Sequence, residues 1–184
     1  MILGLDISTS CTGWCILDNE AKLIAMGSIS LSKYKNLFNK AKHVHVELMD
    51  LLVRYEIHVV FIEENLQAFR PGLSSAKTIL TLARFNGIVS YICDQVFEKE
   101  PGFLNVNSAR KELGIKLVRK KNGGKPTKEQ IIEWVSNELS DTNHHWPTKI
   151  LKSGPRKGAE ILEPACYDMA DAYVIARAGL EHIA

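Results

Sequence analysis

Two apolar runs, Ile2-Leu3-Gly4-Leu5 and Val59-Val60-Phe61-Ile62, each end directly in a carboxylate, Asp6 and Glu63. A short, unbroken apolar run reads as a strand covered on both faces, so it belongs in the middle of a sheet. Two such strands require helices on both sides to cover them. The acids then sit at the rim of a core, where an uncompensated carboxylate is costly. Asp6 leads into a small-residue turn, Ser8-Thr9-Ser10-Cys11-Thr12-Gly13. Near the other end of the chain, Asp168 and Asp171 lie in Tyr167-Asp168-Met169-Ala170-Asp171-Ala172, and that spacing places both on one face of a helix.

The remaining pattern supplies the elements this arrangement needs. Trp14–Leu17 and Leu23–Ile29 read as strands joined across Asp18-Asn19-Glu20, making an antiparallel meander with the first strand. A helix is predicted from Tyr34 to Tyr55, with Leu37, Ala41, Val44, Leu48 and Leu51 on its apolar face. A second helix, Ser74 to Phe97, turns Ile79, Leu82, Ala83, Ile88, Ile92 and Val96 inward. Phe103 to Val106 reads as a strand, and Asn107 caps a short helix through Leu113. Thr127 opens a further helix, where Gln130 completes a capping-box pattern. The last helix, Ala165 to His182, carries small residues that permit close approach to a sheet. The expected fold is α/β, with a mixed sheet and helices on both faces.

At 184 residues and 46% apolar composition, one domain over residues 1–184 is expected. No run is long enough to cross a bilayer and no signal-peptide pattern opens the chain. Cys11, Cys15, Cys93 and Cys166 form no Cys-x-x-Cys pair, so they read as reduced thiols in a cytoplasmic setting, without a zinc site.

Net charge is only +2, but the cations cluster. Gly114 to Pro126 reads as a mobile basic loop, with Lys116, Arg119, Lys120, Lys121 and Lys125 around Gly123-Gly124. Residues 140 to 164 read as another loop, with Lys149, Lys152, Arg156 and Lys157. A run of charge is ordinarily a solvated surface. Beside an acidic site it is also a candidate phosphate contact, since lysine and arginine release counterions from DNA. Trp146 and Phe69 are candidates for base stacking, with ordinary packing as the alternative.

Taken singly, each acid has a bland role. Asp6 can start a turn, and Asp168 suits the first turn of a helix. Four acids at element ends beside apolar runs point instead to bound divalent cations, which prefer oxygen ligands. Two ions about 3.5–4 Å apart can activate water and compensate charge on a leaving oxygen during phosphodiester hydrolysis. Without a cation the carboxylates should raise each other's pKa values. The expected site is therefore that of a metal-dependent nuclease built on Asp6, Glu63, Asp168 and Asp171, with Glu64 replacing Glu63 if the strand register differs.

The same segments resemble the RuvC-type Holliday-junction resolvases of the ribonuclease H-like superfamily. The resemblance runs through Ile2–Asp6 with Thr12-Gly13-Trp14, Phe61–Glu64, Leu82–Gly87, Asn105–Lys111, Thr127–Gln130 and Asp168–Ala172, nearly the whole chain. It implies a ribonuclease H-like five-stranded sheet, three strands antiparallel and then parallel ones. It implies that Asp6, Glu63, Asp168 and Asp171 hold two Mg2+ or Mn2+ ions, and that Lys128 lies near the scissile phosphate. Arg119, Lys120, Lys121, Lys125 and Lys128 become the expected DNA contacts. The implied partners are four-way and other branched DNA and a second copy of the chain, with no membrane, in a bacterial or phage-infected cell or an organellar or viral setting. There are departures. Leu66 stands where the bacterial enzymes place an aromatic wedge, Phe69 is offset from that position, and the 140–164 region is longer. The alternatives are an RNA-directed or non-specific nuclease of the superfamily, or a one-lobed nucleotide-binding relative of the actin and sugar-kinase superfamily, whose first phosphate motif Asp6 to Gly13 also resembles.

Overall fold

The computed structural model describes residues 1–64 and 75–183. Strands β1 (Ile2–Ile7), β2 (Cys11–Leu17) and β3 (Leu23–Ser30) form the antiparallel meander. Strand β4 (Val59–Glu63) pairs parallel with the other edge of β1, Leu5 opposite Ile62, and β5 (Gly102–Leu104) pairs parallel with β4, Leu104 opposite Glu63. The sheet order is β3-β2-β1-β4-β5. The two apolar runs are therefore its central strands, as their composition requires.

Helices α1 (Leu37–Arg54) and α2 (Ala76–Phe97) cover one face. Helices α3 (Val106–Glu112), α4 (Thr127–Glu138) and α5 (Ala165–Glu181) cover the other. Strand alternation assigns each side chain to a layer. Leu3, Leu5 and Ile7 of β1 and Val60 and Ile62 of β4 join the α1/α2 core, whereas Ile2 and Phe61 join the α5 core. Asp6 and Glu63 continue the second set, so both acids lie on the side of the sheet that α5 covers.

Several expectations are corrected. Ala83 is exposed, and Phe85, Val89 and Cys93 take the inward line of α2, since fully buried Phe85 fills the layer against the sheet. Strand β5 ends at Leu104, so Asn105 rather than Asn107 caps α3, its Oδ1 accepting from the amides of Asn107 and Ser108. Helix α4 starts without a side-chain cap. Gln130 instead reaches back to the basic loop: its Oε1 accepts from Val118 N at 2.8 Å, and its Nε2 donates to Val118 O and Lys125 O. With a 3-10 turn over Lys120–Asn122, the loop expected to be mobile is laced to α4.

The 140–164 segment is not a plain loop. It holds an antiparallel hairpin, β6 (Thr148–Ile150) with β7 (Glu160–Leu162). Trp146 packs at its root, donating to Ser136 Oγ at 2.9 Å, and does not stand free for stacking. Leu66 and Phe69 lie outside the described residues. All four cysteines are free thiols. Among the described residues no helix is long and apolar enough to cross a membrane.

Candidate active site

Parallel pairing of β1 with β4 puts the ends of those strands side by side, and with them Asp6 and Glu63. The turn after β1 is closed by Ser8, whose Oγ donates to Cys11 O at 2.7 Å and accepts from Cys11 N at 3.1 Å. Asn86 of α2 donates to Glu63 O at 3.3 Å and so fixes the end of β4.

Helix α5 reaches these ends because two glycines remove the side chains between them. A Cβ on Gly4 would lie 2.5 Å from Ala172 O and from Ala176 N, and one on Gly13 would lie 2.0 Å from Asp168 O. The helix thus rests on bare strand backbone, with Asp168 and Asp171 in its first turns. Asp6, Glu63, Glu64, Lys128, Asp168 and Asp171 all line one cleft of about 260 Å³, together with Ile7, Ser8 and Leu82. A larger cavity of about 500 Å³ lies at the opposite end of α5, beside Arg177 and Glu181, and holds none of the predicted residues.

Charge in the cleft is poorly compensated. Burial, and then Glu63, Asp171 and Asp168, hold the Asp6 carboxyl well above the usual carboxylate range. Burial and then Asp171 also raise Glu63, while the hydrogen bond with Asp6, Arg110 and Lys128 pull it down. Asp168 is raised by burial, against the Cys11 hydrogen bond and Lys128. Burial, and then Asp168, push the Cys11 thiol up to about 12, which keeps it a neutral donor.

Among the described residues, two cations answer the acids. Arg110 Nη2 donates to Asp171 Oδ1 at 2.9 Å, and the side chains are only 15% and 10% exposed. Lys128 Nζ stands 3.9 Å from Asp168 Oδ1 and 6.0 Å from the Tyr167 ring centroid, with its side chain 61% exposed. The structure thus gathers the four expected acids, Lys128 and the fallback Glu64. Arg119, Lys120, Lys121 and Lys125 do not line the cleft, and Lys125 pairs with Glu133. Sequence reasoning missed Arg110, Cys11 and Asn86. Their roles depend on β5 lying beside β4 and on α2 passing behind it, and no local pattern carries that information.

Carboxylate oxygens suit a hard divalent cation. Among the described residues, no three His, Cys, Asp or Glu side chains form a ready-made ligand sphere. The acids face one another across a cleft instead. Burial and mutual repulsion raise Asp6, Glu63 and Asp168 together, so this donor set lacks positive charge, and a cation is what it fits.

No family model matches the chain. Curated relatives do. The crossover junction endodeoxyribonuclease RuvC of Helicobacter pylori strain P12 is 30% identical over 152 residues, 81% of this chain and 88% of the relative. That of Ehrlichia ruminantium strain Welgevonden is 28% identical over 153 residues, 78% and 85% of the two chains. Among solved structures, Thermus thermophilus RuvC in complex with Holliday junction substrate superposes with a TM-score of 0.64 at 15% identity, over 99% of this chain and 94% of that one. The yeast mitochondrial Holliday junction resolvase does so with a TM-score of 0.53 at 18% identity, over 97% and 77%. The fold is ribonuclease H-like, with an acid-lined cleft at the ends of its central strands. The chain belongs to the RuvC family of crossover junction endodeoxyribonucleases.

Proposed function

We propose that this chain is an endonuclease that resolves four-way DNA junctions by paired, metal-dependent hydrolysis of phosphodiesters. Residues 1–184 act as one nuclease domain, in a bacterial or phage-infected cell. The observation that carries the reading is the convergence of Asp6, Glu63, Asp168 and Asp171 from two strands and a helix onto one cleft.

Asp6, Glu63, Asp168 and Asp171 would hold a pair of Mg2+ or Mn2+ ions. Such ions supply Lewis acidity at the phosphate oxygens and a water acidic enough to ionise near neutral pH. Arg110 fixes the orientation of Asp171. Lys128, at the exposed edge of the cleft, pairs with a phosphate oxygen and stabilises the charge that gathers there in the transition state. Arg119, Lys120, Lys121 and Lys125 hold the flanking backbone by counterion release. A four-way junction offers two equivalent strands, and a twofold homodimer supplies two sites to cut them.

The test is an end-labelled four-way junction beside its duplex control, a flap and an RNA–DNA hybrid, each with magnesium and with EDTA. Magnesium-dependent cutting of the junction, with little cutting of duplex, is expected. Preferential cutting of the hybrid would make the chain an RNA-directed nuclease, and no cutting of any substrate would overturn the nuclease reading.

A further inference from the structure

The β6–β7 hairpin is more than a connection between α4 and α5. Its strands pair Thr148 with Leu162 and Ile150 with Glu160. Leu151 N then bonds Ala159 O at 3.0 Å and Gly158 N bonds Leu151 O at 2.8 Å, so the ladder continues beyond the strands. The turn closes on itself, Lys157 N to Gly154 O and Ala159 N to Arg156 O, with Gly154 at φ 82° and Gly158 at φ 88°. The tip is thus a formed structure, held by its own backbone.

Its charge is one-sided. Lys149, Lys152, Arg156 and Lys157 are exposed, and among the described residues none of them forms an ion pair or a side-chain hydrogen bond. Glu160, the one acid between residues 148 and 162, is turned to Thr148 Oγ1 at 2.5 Å. The cations at the acidic site differ: Lys128 and Arg110 each have an acidic partner. Four uncompensated cations on a preformed ribbon are an anion-binding surface in search of a polyanion.

The root fixes where that ribbon stands. Glu163 N and Cys166 Sγ both donate to Pro147 O, at 2.9 and 3.3 Å, tying the two legs to the start of α5. Leu162 and Tyr167 line one cavity with Glu129 of α4, and Tyr167 lies under Lys128. The hairpin therefore springs from the junction that carries Lys128 and Asp168. Its ladder of four residue pairs reaches roughly 13 Å from that root, about four base-pair steps along a duplex. A two-stranded ribbon is also of a size that the major groove admits.

We propose that the β6–β7 hairpin grips the phosphate backbone of a duplex arm away from the scissile phosphate, with Lys152, Arg156 and Lys157 as the contacts. The inference rests on the nuclease reading for its substrate. It assigns the hairpin to affinity and leaves turnover to the cleft.

The experiment compares wild type with Lys152→Ala/Arg156→Ala/Lys157→Ala in binding to a labelled four-way junction, in calcium or EDTA so that binding is read without cutting. The triple variant should bind more weakly, with a log–log salt slope shallower by about 0.9 for each phosphate it no longer neutralises. If all three cations engage phosphates in wild type, the gap between the two proteins shrinks about 40-fold between 50 and 200 mM salt. Neutral methylphosphonate linkages about four to eight base pairs from the branch should weaken wild type and leave the variant unchanged. The charge-keeping variant Lys152→Arg/Arg156→Lys/Lys157→Arg should bind as wild type does, and all three proteins should cut saturated junction at one rate in magnesium. Equal slopes, or an equal response to the neutral linkages, would overturn the proposal. Wild type that binds the junction but fails to cut it would overturn the nuclease reading and leave the hairpin result standing. Wild type that binds no branched DNA would overturn both.

Discussion

Arg110 of α3 and Asp171 of α5, 61 residues apart, meet in a mostly buried ion pair at 2.9 Å. Among the described residues the guanidinium Nε has no partner, so the side chain is held there chiefly through that carboxylate. Arg110 then acts as a positioning residue, fixing one oxygen of Asp171 and aiming the other. Arg110→Gln should lower single-turnover cleavage by about 10- to 100-fold, the usual cost of losing a group that orients a metal ligand. Arg110→Lys should recover part of that rate, because it restores charge but not the planar fork. Equal defects in both variants would mean the pair serves folding only.

Asp6→Asn, Glu63→Gln, Asp168→Asn and Asp171→Asn should each lower cleavage by about 100-fold or more while junction binding persists, because each removes cation coordination from a site that contributes little packing. Glu64→Gln should cut nearly as wild type does. By strand alternation Glu63 shares the α5 side with Phe61, while the Glu64 amide is tied to Leu104 O. Parallel assays of cleavage and gel-shift binding check the set. A dead Glu64→Gln beside an active Glu63→Gln would exchange the roles of the two acids.

The acid pair also predicts an inverted pH response. Asp6 is raised well above 3.8, and Glu63 above 4.5, chiefly by burial. Raised pKa values mean that the folded state binds protons more tightly than the unfolded chain. The stability this contributes is complete below the unfolded values and disappears as pH climbs through the folded ones. In EDTA, Tm should therefore fall as pH rises from about 4 towards neutrality, and Mn2+ should restore it at the upper end. Scanning calorimetry across that range with and without Mn2+ decides the matter. A metal-free Tm that rises throughout would show that the pair ionises without cost.

Gly13→Ala tests how α5 is seated. The added methyl would fall 2.0 Å from Asp168 O, a backbone atom that yields only if the helix moves. A stability loss of about 1–3 kcal/mol is expected from the overpacking, with a cleavage defect that persists well below the new Tm. Full activity at such temperatures would show that the helix yields without shifting its acids.

Lys128→Ala should reduce turnover of bound junction by about 100- to 1,000-fold, the scale of one charge-stabilising donor, with a smaller change in affinity. Normal cutting of bound junction by the variant would reduce Lys128 to a phosphate clamp.

How much of this was legible in the chain depends on how local each signal is. An apolar run that ends in an acid is a one-dimensional pattern, and it located β1, β4, Asp6 and Glu63. The spacing of Asp168 and Asp171 placed them together on α5, and the heptad-like face of α1 supplied Ala41, Val44, Leu48 and Leu51. Partner choice was not legible. Gln130 has the residue type and spacing of a capping box, but it bonds a loop folded back beside it. Strand β6 is exposed throughout and β7 is at most half-buried, so neither carries the apolar signal that marked β1 and β4. Arg110 needed two non-local facts, that β5 flanks β4 and that α3 then passes under α5.

The contact of α5 with the backbone of Gly4 and Gly13 leaves no soft layer between the framework and its reactive groups. Heating should therefore offer no interval in which the molecule is intact but its acids are misaligned, and loss of cleavage should track loss of ellipticity degree by degree. A partly inactivated sample would be a mixture of fully competent and wholly dead molecules, never a population of sluggish ones.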